Sequence, residues 1–131
     1  MTAEEHYKMA HEIYEKHARW YYGGITEEMA TEILNEAKLE FTKVIELDPM
    51  HFDAFFYRGI VSKRIEDKKG ESANYADILS DFTKSIQLKP SSRAFFHRAK
   101  TKLELNDEEG SRKDFLAALN LDPDSDARAY V

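Results

Sequence analysis

The segment HEIYEKH, His11 to His17, carries two histidines and two glutamates, residue types that hold zinc and activate a bound water. On a helix that chemistry needs a second histidine four residues after the first, and Glu15 stands in its place. His6, His11 and His17 do not share one helical face at ligand spacing. Cysteine is absent, so thiolate metal sites, cysteine nucleophiles and disulfides are excluded. No glycine-rich phosphate loop or nucleophile motif occurs. The acid pairs Glu27-Glu28 and Glu108-Glu109 follow turn residues, where carboxylates complement a helix amino terminus. Neither an enzyme nor a cofactor is expected, which leaves side chains that recognise another surface.

Helices must position those side chains. Three prolines, Pro49, Pro90 and Pro123, each close a near-copy of one phrase: EFTKVIELDP, DFTKSIQLKP and KDFLAALNLDP. Before them apolar residues recur at helical spacing: Ala37, Phe41, Val44 and Ile45; Ile78, Phe82 and Ile86; Phe115, Ala118 and Leu119. Proline cannot donate into the preceding turn, so each segment ends there. A second phrase repeats after two of the prolines, DAFFYRGI against RAFFHRAK, with Gly59 or Ala99 directly after an arginine. The unit is helix, turn, helix, proline.

With 42% hydrophobic and 34% charged residues in 131, the chain is neither disordered nor membrane-embedded and is sized for one domain. A net charge of −6 argues against nucleic acid or anionic lipid as the main partner. The polar amino terminus lacks the apolar stretch of a signal peptide, and no window is apolar enough to span a bilayer, so a cytoplasmic location is expected.

These phrases resemble the tetratricopeptide repeat, a helical hairpin with a small residue in its first helix, a large aromatic in its second and a terminal proline. Gly59, Phe82 and Pro90 match, as do Ala99, Phe115 and Pro123, and Ala37, Phe41 and Pro49 with Ala10 as the small residue. The resemblance implies an all-α, right-handed solenoid of three antiparallel hairpins, over about 3–50, 51–90 and 91–123. Residues 124–131 form an incomplete cap or the start of a further helix, with Ala127 matching Ala94. The last apolar layer is then either continued in a longer protein or left for a partner. Phe82 and Phe115 are expected to fill the space between hairpins.

From small residue to aromatic the units span 31, 23 and 16 residues, from 10 to 41, 59 to 82 and 99 to 115. Two helical turns take about 7.2 residues, so each increment fits one added turn on each arm of a hairpin. The expected helices are Glu4–Tyr22, Thr26–Leu47, Phe52–Asp67, Ser72–Leu88, Ser92–Leu105 and Glu108–Leu121, folding back at Gly23-Gly24, Lys69-Gly70 and Asn106-Asp107. Trp20 and Tyr21 are expected to pack the tallest tip.

The family's first helices line a concave groove for a peptide. Carried over, the resemblance places Tyr7, His11 and Tyr14, then Phe56, Ile60 and Lys63, then Arg93, Phe96, Lys100 and Leu103 in that groove. One phenylalanine of each adjacent pair is expected in the core; neighbours on a helix lie about 100° apart, so the other faces a different layer, and its exposure decides whether the groove is apolar. The implied function is a protein-interaction module for a segment with acidic and apolar residues; the alternative is a structural protein that self-associates through its open end. Family members that clamp a chaperone's terminal carboxylate use Lys, Asn, Asn, Lys and Arg, where this chain has Tyr7, His11, Tyr57, Arg93 and His97. Only Arg93 is of the expected type, which argues against that clamp.

Overall fold

The computed structural model describes residues 1–20 and 23–131, the side chain of Trp20 excepted. Among these, six helices run in order: α1 (Ala3–Trp20), α2 (Glu27–Leu47), α3 (Phe52–Asp67), α4 (Ala76–Leu88), α5 (Ser92–Glu104) and α6 (Glu108–Leu121). Short 3-10 helices occupy Gly70–Ser72 and Asp126–Tyr130. Each helix packs chiefly on its neighbours in sequence, giving three stacked hairpins, an α-solenoid.

Local chemistry sets the ends. Thr2 and Glu5 close α1 with a reciprocal capping box, the Thr2 hydroxyl accepting from the Glu5 amide and the Glu5 carboxylate accepting from the Thr2 amide, both at 3.1 Å. Thr26, His51, Ser91 and Asp107 cap the next four of the α-helices that carry a side-chain cap by accepting from the amide three residues on. The three fold-back points contain the described residues of positive φ, Gly24, Gly70 and Asn106, as the turn signals require.

The hairpins are not graded as expected. The first is tallest, with helices of 18 and 21 residues, but in the second α3 has 16 and α4 only 13, against 13 and 14 in the third. The extra residues of the second hairpin lengthen α3 by about a turn. The remainder form the 3-10 helix and an extended link, so α4 begins at Ala76 and not at Ser72. That link is bonded at several points: Glu66 accepts from the Asn74 amide at 2.9 Å, the Asn74 side-chain oxygen accepts from the Ala76 amide at 3.0 Å, and the Tyr75 hydroxyl donates to Asp67 at 2.7 Å. Asn74 bonds the backbone locally in a turn better than it propagates a helix, which sets the later start. The packing expected of Trp20 and Tyr21 lies outside the described residues.

Two devices join successive hairpins, and both repeat. Phe41, Phe82 and Phe115 are fully buried, and each carries a ring from the following unit: Tyr57 on Phe41 at 5.8 Å, His97 on Phe82 at 6.1 Å and Tyr130 on Phe115 at 4.4 Å, all near-parallel. The matched alanines Ala54, Ala94 and Ala127 lie three residues before those rings and are completely buried. Asp126–Tyr130 thus occupies the place of a next first helix and covers part of the last layer.

The second device is a clasp. Arg58 donates through Nε and Nη2 to both oxygens of Asp81, at 2.9 and 2.7 Å, and through Nη1 reaches Thr42 of the preceding hairpin at 3.5 Å. Arg98 does the same with Asp114, at 2.7 and 2.8 Å, and Thr83, at 3.2 Å. In the first hairpin Glu40 stands at the acid position and pairs with His6 at 2.7 Å and Lys43 at 2.9 Å. Gly59 is required at its contact: a Cβ there would lie 2.7 Å from Cε1 of the buried Phe82 ring.

Candidate functional site

The first helices α1, α3 and α5 contribute together to one face. Tyr14 from α1, Ile60, Lys63, Arg64 and Asp67 from α3, and Arg93, His97 and Lys100 from α5 surround a cleft of about 190 Å³. Five of the ten residues expected in the groove, Tyr14, Ile60, Lys63, Arg93 and Lys100, are brought together there. Tyr7 and His11 border a second, shallower depression with Lys8 and Glu12. Phe96 lies on the far side of Arg93, in a cleft shared with the acidic stretch Asp122–Asp126. Leu103 is exposed and borders none of these three clefts.

Phe56 departs from expectation. It is only 4% exposed, packed against Phe82 and His97 and roofed by the Arg93 guanidinium 4.8 Å from its ring centre. Its neighbour Phe55 is also buried, on another layer, under Arg58. Neither ring of the first pair is a surface anchor, because each has an arginine laid over it; Phe95 and Phe96 are both half-buried.

The cleft is rich in positive charge. Lys63 bonds Asp67 at 3.0 Å and Glu104 at 2.9 Å. Burial opposes the charge on Lys63, but those two carboxylates outweigh it and hold its pKa above the usual lysine range. Arg64 lies over the Tyr14 ring at 4.8 Å and donates to its hydroxyl at 3.2 Å and to His17 Nδ1 at 3.3 Å. Arg93 spans Phe56 and Tyr57 and donates to the Tyr57 hydroxyl at 3.4 Å. Lys100 rests over Phe96 at 5.5 Å. Among the described residues, Arg64, Arg93 and Lys100 have no carboxylate within ion-pair distance. At the centre, burial and then Lys100, Arg93, Lys63 and Arg64 push the pKa of His97 down to about 4, so its ring is neutral near pH 7.

The other half of the face is aromatic. His11 meets the Tyr57 ring edge-on at 5.0 Å, Tyr14 lies 5.3 Å from Tyr57, and Tyr7 packs against His51 at 4.7 Å. Burial, then the charge of Asp53, raises the Tyr7 phenol above its ordinary range, so it stays a neutral donor. Among the described residues no group of three or more His, Asp or Glu side chains is placed to hold a metal.

Solved structures share this arrangement of helices. The first TPR of Spaghetti (RPAP3), bound to the HSP90 peptide SRMEEVD, matches with a TM-score of 0.68 over 92% of this chain and 85% of that one, at 22% identity. The Arabidopsis OM64 TPR domain matches with a TM-score of 0.67 over 94% of this chain and 90% of that one, at 18% identity. This is a tetratricopeptide-repeat fold. No family sequence model and no curated protein matches the chain. At these identities the likeness carries the fold and not the ligand.

Within the tetratricopeptide-repeat frame, the five positions aligned with a carboxylate clamp form a ring cluster with one cation. Tyr7, His11 and Tyr57 touch one another, Arg93 bonds Tyr57, and His97 stacks on Phe82. The cations stand elsewhere, at Lys63, Arg64 and Lys100. Sequence reasoning missed Arg64 and Asp67 as groove residues, although each lies four residues after one it placed there, Ile60 and Lys63. That spacing on one helix face was the available signal.

Proposed function

We propose that this protein is an interaction module that binds an extended segment of a partner protein along the face made by α1, α3 and α5, with apolar side chains on the Tyr7–Tyr14–Tyr57 half and acidic ones on the Lys63–Lys100 half. The observation that carries this reading is the convergence of Arg64, Arg93 and Lys100 on one cleft, none of them, among the described residues, in an ion pair with a carboxylate, although Arg93 also borders the cleft of Asp122, Asp124 and Asp126. A chain of net charge −6 that gathers cations without built-in counter-charges is complementary to an external anion. The Spaghetti domain, of the same fold, binds a peptide with two glutamates and an aspartate, which supports the class of ligand. The Tyr and His residues at the clamp positions favour an internal segment over a terminal carboxylate. No catalytic role is part of this reading, and among the described residues no helix is long and apolar enough to cross a membrane.

The test is a titration of a partner captured from native lysate against the wild type, Tyr14→Ala and Lys100→Glu, at two salt concentrations. Binding should weaken in both variants and fall as salt rises. A second reading, self-association through the last layer, is favoured by the exposed Leu116, Leu121 and Val131. Binding that ignores both substitutions but is lost when residues 124–131 are removed would move the interface to that end. Concentration-dependent dimerisation would assign it to a second copy.

A further inference from the structure

The cleft between α3 and α5 is more specific than a diffuse basic patch. Four cations, Lys63, Arg64, Arg93 and Lys100, line it, and the two carboxylates beside them, Asp67 and Glu104, both bond Lys63, a local surplus of two positive charges. Asp67 is itself occupied by Lys63 and by the Tyr75 hydroxyl at 2.7 Å, so it does not neutralise the arginines. Arg64 and Arg93 come from different helices and are held by rings, Tyr14 beneath one and Phe56 beneath the other, which presets the direction of each fork. Preset forks lose less freedom on binding a planar or tetrahedral oxyanion.

The charge and the volume narrow the ligand. One carboxylate carries a single negative charge, whereas a phosphoryl group carries about −1.5 to −2 near pH 7 and has three acceptor oxygens. That is a closer match to Arg64, Arg93 and Lys100. The cleft, about 190 Å³, is smaller than the roughly 300–1,000 Å³ usual for small-molecule sites, so it fits the end of a side chain better than a nucleotide. Resting on the groove reading above, we infer that this cleft receives the phosphoryl group of a phosphorylated serine or threonine within the bound segment. Arg64 and Arg93 grip its oxygens, Lys100 adds charge at the mouth, and neutral His97 forms the floor.

The experiment uses three fluorescein-labelled peptide pools, degenerate except at a central residue that is serine, glutamate or phosphoserine, with binding read by anisotropy on the full chain. The phosphoserine pool should bind about tenfold more tightly than the serine pool and clearly more tightly than the glutamate pool. The gain should vanish in Arg93→Gln/Lys100→Gln and persist in Lys113→Gln, a change on the exposed face of α6. Arg93→Lys should keep part of it, and thermal melts should show all variants folded. Equal binding of the phosphoserine and glutamate pools would overturn the inference, as would a gain that survives the double variant or no binding of the phosphoserine pool. Displacement by inorganic phosphate at matching concentration would overturn the peptide source and leave a free-anion site. Should all pools bind alike yet be lost on Tyr14→Ala, the groove reading stands and this inference alone falls; binding indifferent to every groove change removes both.

Discussion

Arg58 and Arg64 share helix α3, and Arg98 and Arg93 share α5, yet each helix uses its two arginines in opposite ways. Arg58 and Arg98 fork onto the buried carboxylates of Asp81 and Asp114 in their own hairpins and reach Thr42 and Thr83 of the preceding ones. Arg64 and Arg93 rest on rings at the cleft and, among the described residues, form no ion pair with a carboxylate. The difference is not in residue type but in whether the fold supplies the anion. An arginine given its counter-charge becomes part of the scaffold, and one left without it is available to a partner.

The sharpest way to break this comparison is Asp114→Ala. It strands Arg98 and Lys102, both bonded to that buried carboxylate, and should cost on the order of 3–5 kcal/mol, read as a lost or sharply lowered thermal transition. An unchanged melt would mean that the clasp is no more structural than the cleft arginines.

Next in size is a pH effect centred on His97. Its pKa is about 4 in the folded chain, against about 6.5 when unfolded. Above pH 6.5 neither state is protonated there and stability is full. As pH falls from 6.5 towards 4 the unfolded chain takes up the proton and the folded chain does not, so stability declines by at most about 3 kcal/mol. Denaturant melts of the wild type and His97→Gln at pH 7 and 4.5 should differ in this dependence. Parallel profiles would show that the histidine does not sense the four cations around it.

A smaller effect is expected for Arg93→Gln, about 0.5–1 kcal/mol from the lost contact with the Phe56 ring, with a rise in the pKa of His97 as one repelling charge leaves. Denaturant melts and a nuclear magnetic resonance titration of the imidazole read both. A loss as large as that of Asp114→Ala would erase the distinction between the two kinds of arginine. Of comparable size is Tyr130→Ala, which removes a half-exposed ring from Phe115 and should cost roughly 0.5–1.5 kcal/mol in thermal stability.

Much of this was legible in the sequence because the repeat writes it three times. The prolines, the small residues and the aromatics mark the hairpins, and Gly24, Gly70 and Asn106 mark the folds. Partition of an insertion was not legible: seven extra residues in the second hairpin fit two helical turns arithmetically, and only the turn preference of Asn74 hinted that they would not be used so. Nor did adjacency in Phe55-Phe56 reveal that both rings would be covered, since that depends on arginines three residues away or on another helix. The clasp had a signal that went unread: an acid stands directly before the repeated phenylalanine in every unit, at Glu40, Asp81 and Asp114. The cleft needs three helices to meet, which no single-helix periodicity encodes.

The ring pairs and clasps lie within nine residues of Pro49, Pro90 or Pro123, while the tips differ from one hairpin to the next. A helix of 21 residues, α2, therefore packs on one of 16, α3, while the joint between them stays the same as in the next pair. In engineering terms the proline end is the connector and the tip is the payload bay: a loop, tag or reporter domain spliced beside Gly70, which has open space around it, leaves the joints between modules untouched.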